Sequence, residues 1–434
     1  MLLMMGLLAA VFASALAAAT PADTAKAAAN DFIRGDFASL HARFPAETRK
    51  KLSTADFASQ LGAAAKQLGA FEKFLVAEPI LQRASGYSVY IFPAKFANAE
   101  VDMQVTIDGK GEVAGLFMRP PSALKTWSPP AYVNPEAFRE SDVRIVTGTI
   151  DLPGTLTMPK GAGPFPGIVL VHGSGPNDRD ESHGPNRAFR DIAQGLASKG
   201  VAVLRYDKRT LVYPQSFGPE ATILDETVDD ATTALGLLRA TKGVDPKRVS
   251  VLGHSLGGMV APRIAAGDAK IWGVVILAGN TRPLADLIDE QADYFASLSA
   301  KPSDEEKKAY ARLHAEAAKI RAVTDATPAV EPIFGAGPAY WRDLRKYSPT
   351  ATAKQLACRI LALQGERDFQ VSMKDFAGWK SALAESKNAT FKSYPKLNHY
   401  FMEGEGRGAP AEYDAPAHVA EAVLDDIAKW ALQK

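Results

Sequence analysis

Apolar positions recur along this chain in three different rhythms, and each predicts a different kind of structure. Over residues 25–75 they fall at Phe32, Phe37, Leu40, Phe44, Leu52, Phe57, Leu61 and Leu68, among Ala, Lys, Gln and Leu, which predicts helices. Over 87–96 and 99–107 the rhythm shortens to a β-rich alternation. Asp108-Gly109-Lys110-Gly111 then reads as a hairpin turn into 112–118. Together these stretches predict a small α+β domain over 20–118, whose aromatics, such as Tyr87, Tyr90 and Phe92, are spaced for core packing. Pro120-Pro121, Pro129-Pro130 and Asn134-Pro135, with Ser122 and Ser128, can neither continue a helix nor enter a central strand, so 119–141 reads as a linker.

Beyond the linker, short apolar runs alternate with helical stretches over 142–434. Residues 142–150 and 154–158 predict a leading antiparallel pair, and 167–172 is a continuous apolar run suited to a buried central strand. A helix over 187–199, a strand over 201–206 and a helix over 226–241 lead into an apolar strand ending near His254. Strands over 273–279, 360–364 and 389–394, and a closing helix over 416–432, complete the pattern. Such alternation predicts an α/β class domain with a mostly parallel sheet and helices on both faces. Between two of its strands, 280–356 forms a mostly helical insertion carrying Leu287, Ile288, Tyr294, Phe295, Leu298, Phe334, Tyr340 and Trp341. It reads as a cap over the end of the sheet, with a packing or dimer element as the alternative.

Residues 1–19 are apolar and alanine-rich, and small residues at Ala15, Ala17 and Ala19 precede Thr20-Pro21-Ala22-Asp23. The run is short for a membrane span and ends in small residues, so it reads as a cleaved export signal that places the protein in the periplasm or outside the cell. No Lys or Arg precedes it, which leaves its positive end to the amino terminus; a membrane anchor is the alternative. No later stretch is long and apolar enough to span, so no integral span is expected after cleavage.

Composition narrows the chemistry. With 434 residues and 47% hydrophobic content the chain can hold more than one core without disulfides, and the single Cys358, next to an apolar strand, reads as a buried structural thiol. The 50 basic and 49 acidic residues leave a net charge of +1, which gives no electrostatic case for nucleic acid. The seven histidines are scattered without metal-ligand spacing, so neither metal nor cofactor is expected.

Gly253-His254-Ser255-Leu256-Gly257 carries the G-x-S-x-G spacing in which a tight strand-to-helix turn presents a serine hydroxyl, and Ser255 is the predicted nucleophile. A serine hydroxyl attacks only when a neighbouring base takes its proton. His399, just past the strand over 389–394, is the predicted base. Asp368, just past the strand over 360–364, is the predicted acid, with Glu366 as runner-up and His418 as a poor rival base. Both stand on the sheet edge from which Ser255 emerges. The oxyanion donors are expected to be the backbone N–H groups of Leu256 and of Ser174, the latter in His172-Gly173-Ser174-Gly175-Pro176 after a core strand. His172 is read as fixing that loop by hydrogen bonding, and His254 as structural or pocket-lining. Lys208 and Arg209 are read as bracing loops through ion pairs, for example with Asp178 or Asp180, with substrate-carboxylate binding as the alternative.

On these residues, 142–434 resembles the α/β-hydrolase superfamily. His172-Gly173-Ser174-Gly175-Pro176-Asn177-Asp178-Arg179-Asp180 and Leu204-Arg205-Tyr206-Asp207-Lys208-Arg209 are similar to the EstD-type bacterial carboxylesterases, from which Thr210-Leu211-Val212 departs by replacing a glycine-containing continuation. The resemblance implies an α/β-hydrolase fold and hydrolysis of small-molecule carboxylic esters with small or medium acyl groups. Residues 20–118 are similar in pattern to the small domains preceding the hydrolase in some exported esterases. Peptidase, thioesterase and lactonase readings share the same machinery, though 20–118 is far too short for the propeller of a prolyl-oligopeptidase-type enzyme. An inactive envelope binding module is the reading of a different class, opposed by the complete Ser, Asp and His set.

Overall fold

The computed structural model describes residues 20–433 except 77, 85–86, 120–126 and 329–331. The stretch read as an export signal, 1–19, and the linker residues Pro120-Pro121 and Ser122 lie outside the described residues.

Four helices, α1 (Pro21–Ile33), α2 (Phe37–Ala42), α3 (Ala46–Lys51) and α4 (Thr54–Leu68), precede an antiparallel sheet of β1 (Phe71–Phe74), β2 (Ile80–Ala84), β3 (Tyr87–Phe96), β4 (Glu100–Asp108) and β5 (Val113–Arg119). Thr20 and Asp23 form a capping box that starts α1. Phe32 and Leu40 from the helices and Tyr90, Phe92 and Met103 from the sheet share one buried core. The helical reading of 25–75 is corrected at its end: Gly69 at φ 80° terminates α4 and the chain turns into β1.

The second sheet is the larger, and its first strands β6 (Phe138–Thr147) and β7 (Ile150–Pro159) form a hairpin. Gly148 at φ 61° makes its turn, so the expected single strand over 142–150 is corrected: it spans a reversal. Strand β6 also begins inside the stretch read as linker, because Phe138 buries itself against Val133 and Ala197 while pairing with Pro159. What remains of that stretch is docked: Trp127 Nε1 donates to Asp191 Oδ1 at 2.8 Å and Tyr132 OH to Val419 O at 2.7 Å.

There follow β8 (Phe165–Val171), the short pair β9 (Ser182–His183) and β10 (Asn186–Arg187), α5 (Ala188–Ser198), β11 (Ala202–Tyr206), α6 (Arg209–Val212), α7 (Asp229–Ala240), β12 (Val244–His254), α8 (Leu256–Ala266) and β13 (Gly273–Leu277). The insertion supplies α9 (Leu284–Leu298), α10 (Asp304–Ala322), α11 (Pro338–Lys346) and α12 (Pro349–Lys354). The chain closes with β14 (Arg359–Gly365), α13 (Met373–Ala382), β15 (Ala389–Tyr394) and α14 (Glu421–Leu432). The strand order is β15-β14-β13-β12-β8-β11-β7-β6, parallel from β15 to β11 and antiparallel at β7 and β6.

Side chains of a strand alternate between faces, and here both faces are covered. Val169, Val171, Val249, Val251, Val274 and Ile276 pack with α7, α8 and α13; Ile168, Leu170, Leu252, Val275 and Leu277 pack with α5 and α14. Because β12, β14 and β15 run in the same direction, the residues that follow them emerge at one edge.

Candidate active site

At the end of β12 the chain reverses into α8 through Ser255, whose backbone stands at φ 55° and ψ −119°. A non-glycine residue in the left-handed region is strained, and it persists because its neighbours fix it: Ser255 N–H donates to Leu277 O at 2.9 Å and its carbonyl accepts from Met259 N at 3.0 Å. The flanking glycines are obligatory on packing grounds. A Cβ on Gly253 would strike the Gly257 carbonyl, and one on Gly257 would strike the Val171 carbonyl of the neighbouring strand. Leu256 is the first residue of α8, so its N–H lies at the end of the helix where backbone donors have no intrahelical acceptor.

Asp368 and His399 meet after β14 and β15. His399 Nδ1 lies 2.7 Å from Asp368 Oδ2, and the side chains are 3% and 0% exposed, so water does not compete for the contact. Asp368 Oδ2 also accepts from Gln364 Nε2 at 3.0 Å, and Oδ1 accepts from the backbone of Gln370 at 2.8 Å and of Val371 at 2.9 Å. A carboxylate with that many donors is held in one orientation. The two rival residues stand elsewhere. Glu366 is exposed and accepts from Ser393 Oγ, while His418 sits 3.1 Å from Asp191 in the segment before α14, which begins five residues later than the helix expected over 416–432.

The loop after β8 passes directly beside Ser255: a Cβ on Gly173 would lie 3.2 Å from Ser255 Cβ. Gly173 N–H donates to Glu181 Oε1 at 2.9 Å, whereas the N–H of Ser174, a residue that borders the cavity, makes no hydrogen bond among the described residues. Glu181 Oε2 in turn stands 2.9 Å from His254 Nδ1, and His254 Nε2 contacts the His399 carbonyl at 2.9 Å. Burial opposes charge on both, but their mutual attraction outweighs it: His254 titrates above its ordinary value and Glu181 below its own, which describes a buried ion pair. His172 behaves differently. Burial pushes its imidazole down to about 4, and its ring packs on Phe189 at 5.0 Å and Tyr206 at 5.5 Å, with Nε2 unpartnered among the described residues. Ring packing therefore holds it in place, alongside one contact with the Asp178 backbone.

Lys208 and Arg209 do brace loops, with partners other than those expected. Lys208 Nζ, buried, donates to Glu226 Oε1 and to Gly173 O, each at 2.8 Å. Arg209 pairs with Asp230, Asp207 pairs with Arg179, and Asp180 pairs with Arg205. Asp178 instead accepts the backbone N–H groups of Asp180 and Ser182. Glu181 and Glu226 carried no signal in the sequence, since a carboxylate in a polar stretch looks the same whether it faces water or a buried ammonium.

Ser174, Ser255 and His399 border one cavity of about 590 Å³. The insertion covers it: Leu284, Leu287 and Ile288 of α9, Leu313 of α10, Phe334, and Tyr340 and Trp341 of α11 line its wall. Three residues expected there serve elsewhere. Tyr294 and Phe295 pack on Phe369 at 5.5 and 5.6 Å, and Leu298 is exposed. Thr210, at the point of departure from the EstD-type pattern, borders the cavity, with its hydroxyl buried and unpartnered among the described residues. Cys358 is half-buried beside β14, and burial pushes its thiol up to about 11, well away from nucleophilic use.

The sequence matches known proteins over most of its length. The profile of the alpha/beta hydrolase family matches residues 168–415. Esterase EstD of Thermotoga maritima is 40% identical over 386 residues, which cover 88% of this chain and 89% of that protein. Among solved structures, Est1E from Butyrivibrio proteoclasticus is 18% identical with a TM-score of 0.43, covering 67% of this chain and 97% of its own. An acylaminoacyl peptidase from Pyrococcus horikoshii is 16% identical with a TM-score of 0.44, covering 76% and 47%. The resemblance read from the HGSGP loop, the Tyr-Asp-Lys-Arg stretch and the serine elbow is borne out, and the chain belongs to the alpha/beta hydrolase family.

Proposed function

We propose that the protein is a carboxylesterase that hydrolyses esters of small or medium acyl chains through a serine acyl-enzyme. The observation that carries this reading is the 2.7 Å contact of His399 Nδ1 with the buried Asp368, beside a cavity that Ser255 also lines. In this mechanism His399 Nε2 takes the hydroxyl proton as Ser255 Oγ attacks the ester carbonyl, and Asp368 holds the imidazole in the tautomer that can do so. The N–H groups of Ser174 and Leu256 receive the negative charge that develops on the carbonyl oxygen. His399 then returns the proton to the departing alcohol. Water, activated by the same base, adds to the acyl-enzyme and frees the acid. Kinship with a protein named an esterase supports the substrate class. Among the described residues no lysine or arginine lines the cavity, and its covered wall is mostly apolar, which favours neutral acyl groups.

The test is turnover of p-nitrophenyl esters from acetate to decanoate by the purified protein and by Ser255→Ala. Hydrolysis that peaks at a short or medium chain and vanishes in the variant is expected; turnover by the variant would overturn the reading. The export reading of 1–19 is part of the same proposal, and it places the enzyme in the periplasm or medium. No helix among the described residues is long and apolar enough to cross a membrane. Fractionation of cells expressing the full chain tests the location, and a cytoplasmic pool of uncleaved protein would contradict it.

A further inference from the structure

We propose that Lys208, Glu226 and Tyr340 form a positioning relay that aims the Ser174 N–H into the cavity and ties that aim to the seating of the inserted helix α11. The inference rests on the esterase reading and on the role of Ser174 within it.

One peptide plane links Lys208 to the donor. The Gly173 carbonyl and the Ser174 N–H belong to the same trans peptide, so they point to opposite sides of a rigid unit. Lys208 Nζ holds the carbonyl at 2.8 Å. Held on Lys208, the carbonyl sends the N–H of the same plane to the side away from the ammonium; Ser174 borders the cavity, and on this proposal that far side is the cavity side. Asn177 Nδ2 reaches the same carbonyl at 3.2 Å and Glu181 holds the Gly173 N–H, which leaves the loop few ways to rotate. A cationic donor does more than a neutral one. It polarises the peptide it holds, and the N–H on the far side becomes a stronger donor to an oxyanion.

An ammonium buried to this degree needs a counter-charge, and Glu226 Oε1 supplies it at 2.8 Å. The other oxygen of Glu226 accepts from Tyr340 OH at 2.8 Å, 114 residues away on α11. Burial and the adjacent carboxylate push the Tyr340 phenol far above its ordinary value, so it remains a donor. Tyr340 is in turn packed at 5.7 Å from Phe217 and 5.2 Å from Trp341. Movement of α11 would therefore be felt at Glu226, then at Lys208, then at the peptide that carries the donor. Such coupling makes the oxyanion site complete only when the insertion is seated.

The experiment compares the full-length protein with Lys208→Met, Tyr340→Phe and the double variant, reading kcat and KM on p-nitrophenyl butyrate and inhibition by a trifluoromethyl ketone. Loss of one oxyanion donor costs on the order of 10² to 10³ in rate. Lys208→Met should therefore lower kcat by about 10²-fold, leave KM within about threefold, and weaken ketone inhibition in parallel. Tyr340→Phe should show the same split at a smaller size, and the double variant should be no worse than Lys208→Met alone. A folded Lys208→Met with unchanged kcat and ketone affinity would overturn the relay, and additive losses in the double variant would overturn its extension to α11. Should Lys208→Met fail to fold, Glu226→Gln, which keeps the shape and removes the charge, carries the same test: unchanged kcat would overturn the proposal. Ser255→Ala run alongside separates the two levels. Absence of Ser255-dependent turnover in the unmodified protein would remove the esterase reading and the relay with it, whereas intact Ser255 dependence with a silent Lys208→Met would remove the relay only.

Discussion

His399 Nδ1 lies 2.7 Å from Asp368 Oδ2, while Asp368 Oδ1 accepts two backbone N–H groups from the turn that follows it. That arrangement leaves the carboxylate no second position and leaves the imidazole one tautomer. Asp368→Asn would keep the backbone contacts and present an amide where the imidazole N–H needs an acceptor. The expected result is a fall in kcat of about 10³ to 10⁴ with little change in melting temperature, measured on a short-chain ester. A loss below tenfold would mean that Asp368 does not orient the base.

The elbow predicts a contrast between two glycines. Gly253→Ala places a methyl group against the Gly257 carbonyl and should destabilise by at least about 2 kcal/mol, seen as a lower denaturation midpoint or loss of soluble protein. Gly236, on the exposed side of α7, has open space within 4 Å of where an alanine methyl would stand, so Gly236→Ala should stabilise by about 0.5 to 1 kcal/mol. Equal effects at the two sites would contradict the packing argument.

The buried pair of Glu181 and His254 predicts a pH window. His254 titrates above its ordinary 6.5 in the folded protein, so its contribution to stability is complete below 6.5 and is lost as pH rises through the raised value. Glu181 titrates below its ordinary 4.5, so its contribution is complete above 4.5 and is lost as pH falls through the lowered value. Both act together between 4.5 and 6.5. Urea unfolding should show the stability of the unmodified protein falling more steeply, as pH rises above 6.5, than that of His254→Gln; parallel curves would contradict the pairing.

The insertion predicts chain-length control. Leu287 lines the cavity from α9, and Leu287→Trp fills space that longer acyl chains would occupy. The octanoate-to-acetate ratio of kcat/KM should fall by about tenfold or more, since each methylene placed in an apolar pocket is worth a factor of that order. An unchanged ratio would show that the acyl group does not lie under α9.

The parts of this molecule that were legible in the sequence are those with a periodic or punctuated signature. The buried strand β8 shows as an unbroken apolar run, β3 as an alternation, and Ser255 as a serine between glycines that a Cβ would forbid. Asp368 and His399 stood out because each closely follows such a run. The short strands β1 and β2 were hidden by their length and charged residues, and Gly148 concealed a reversal inside what looked like one strand. The buried carboxylates were hidden for another reason: Glu226 meets Lys208 and Tyr340 only after the chain has folded, and nothing local marks a residue whose partner lies 114 positions away. Ionic brackets around a loop are tertiary facts, whereas strands and elbows are local ones.

In the proposed mechanism Ser255 is the activated nucleophile of an acyl-transfer site. The most direct measurement is reaction of the full-length protein with a fluorophosphonate, followed by mass mapping of the modified peptide. One stoichiometric adduct on Ser255 is expected, formed slowly or not at all in His399→Ala. An adduct on another residue, or no adduct on a protein that is folded, would contradict it.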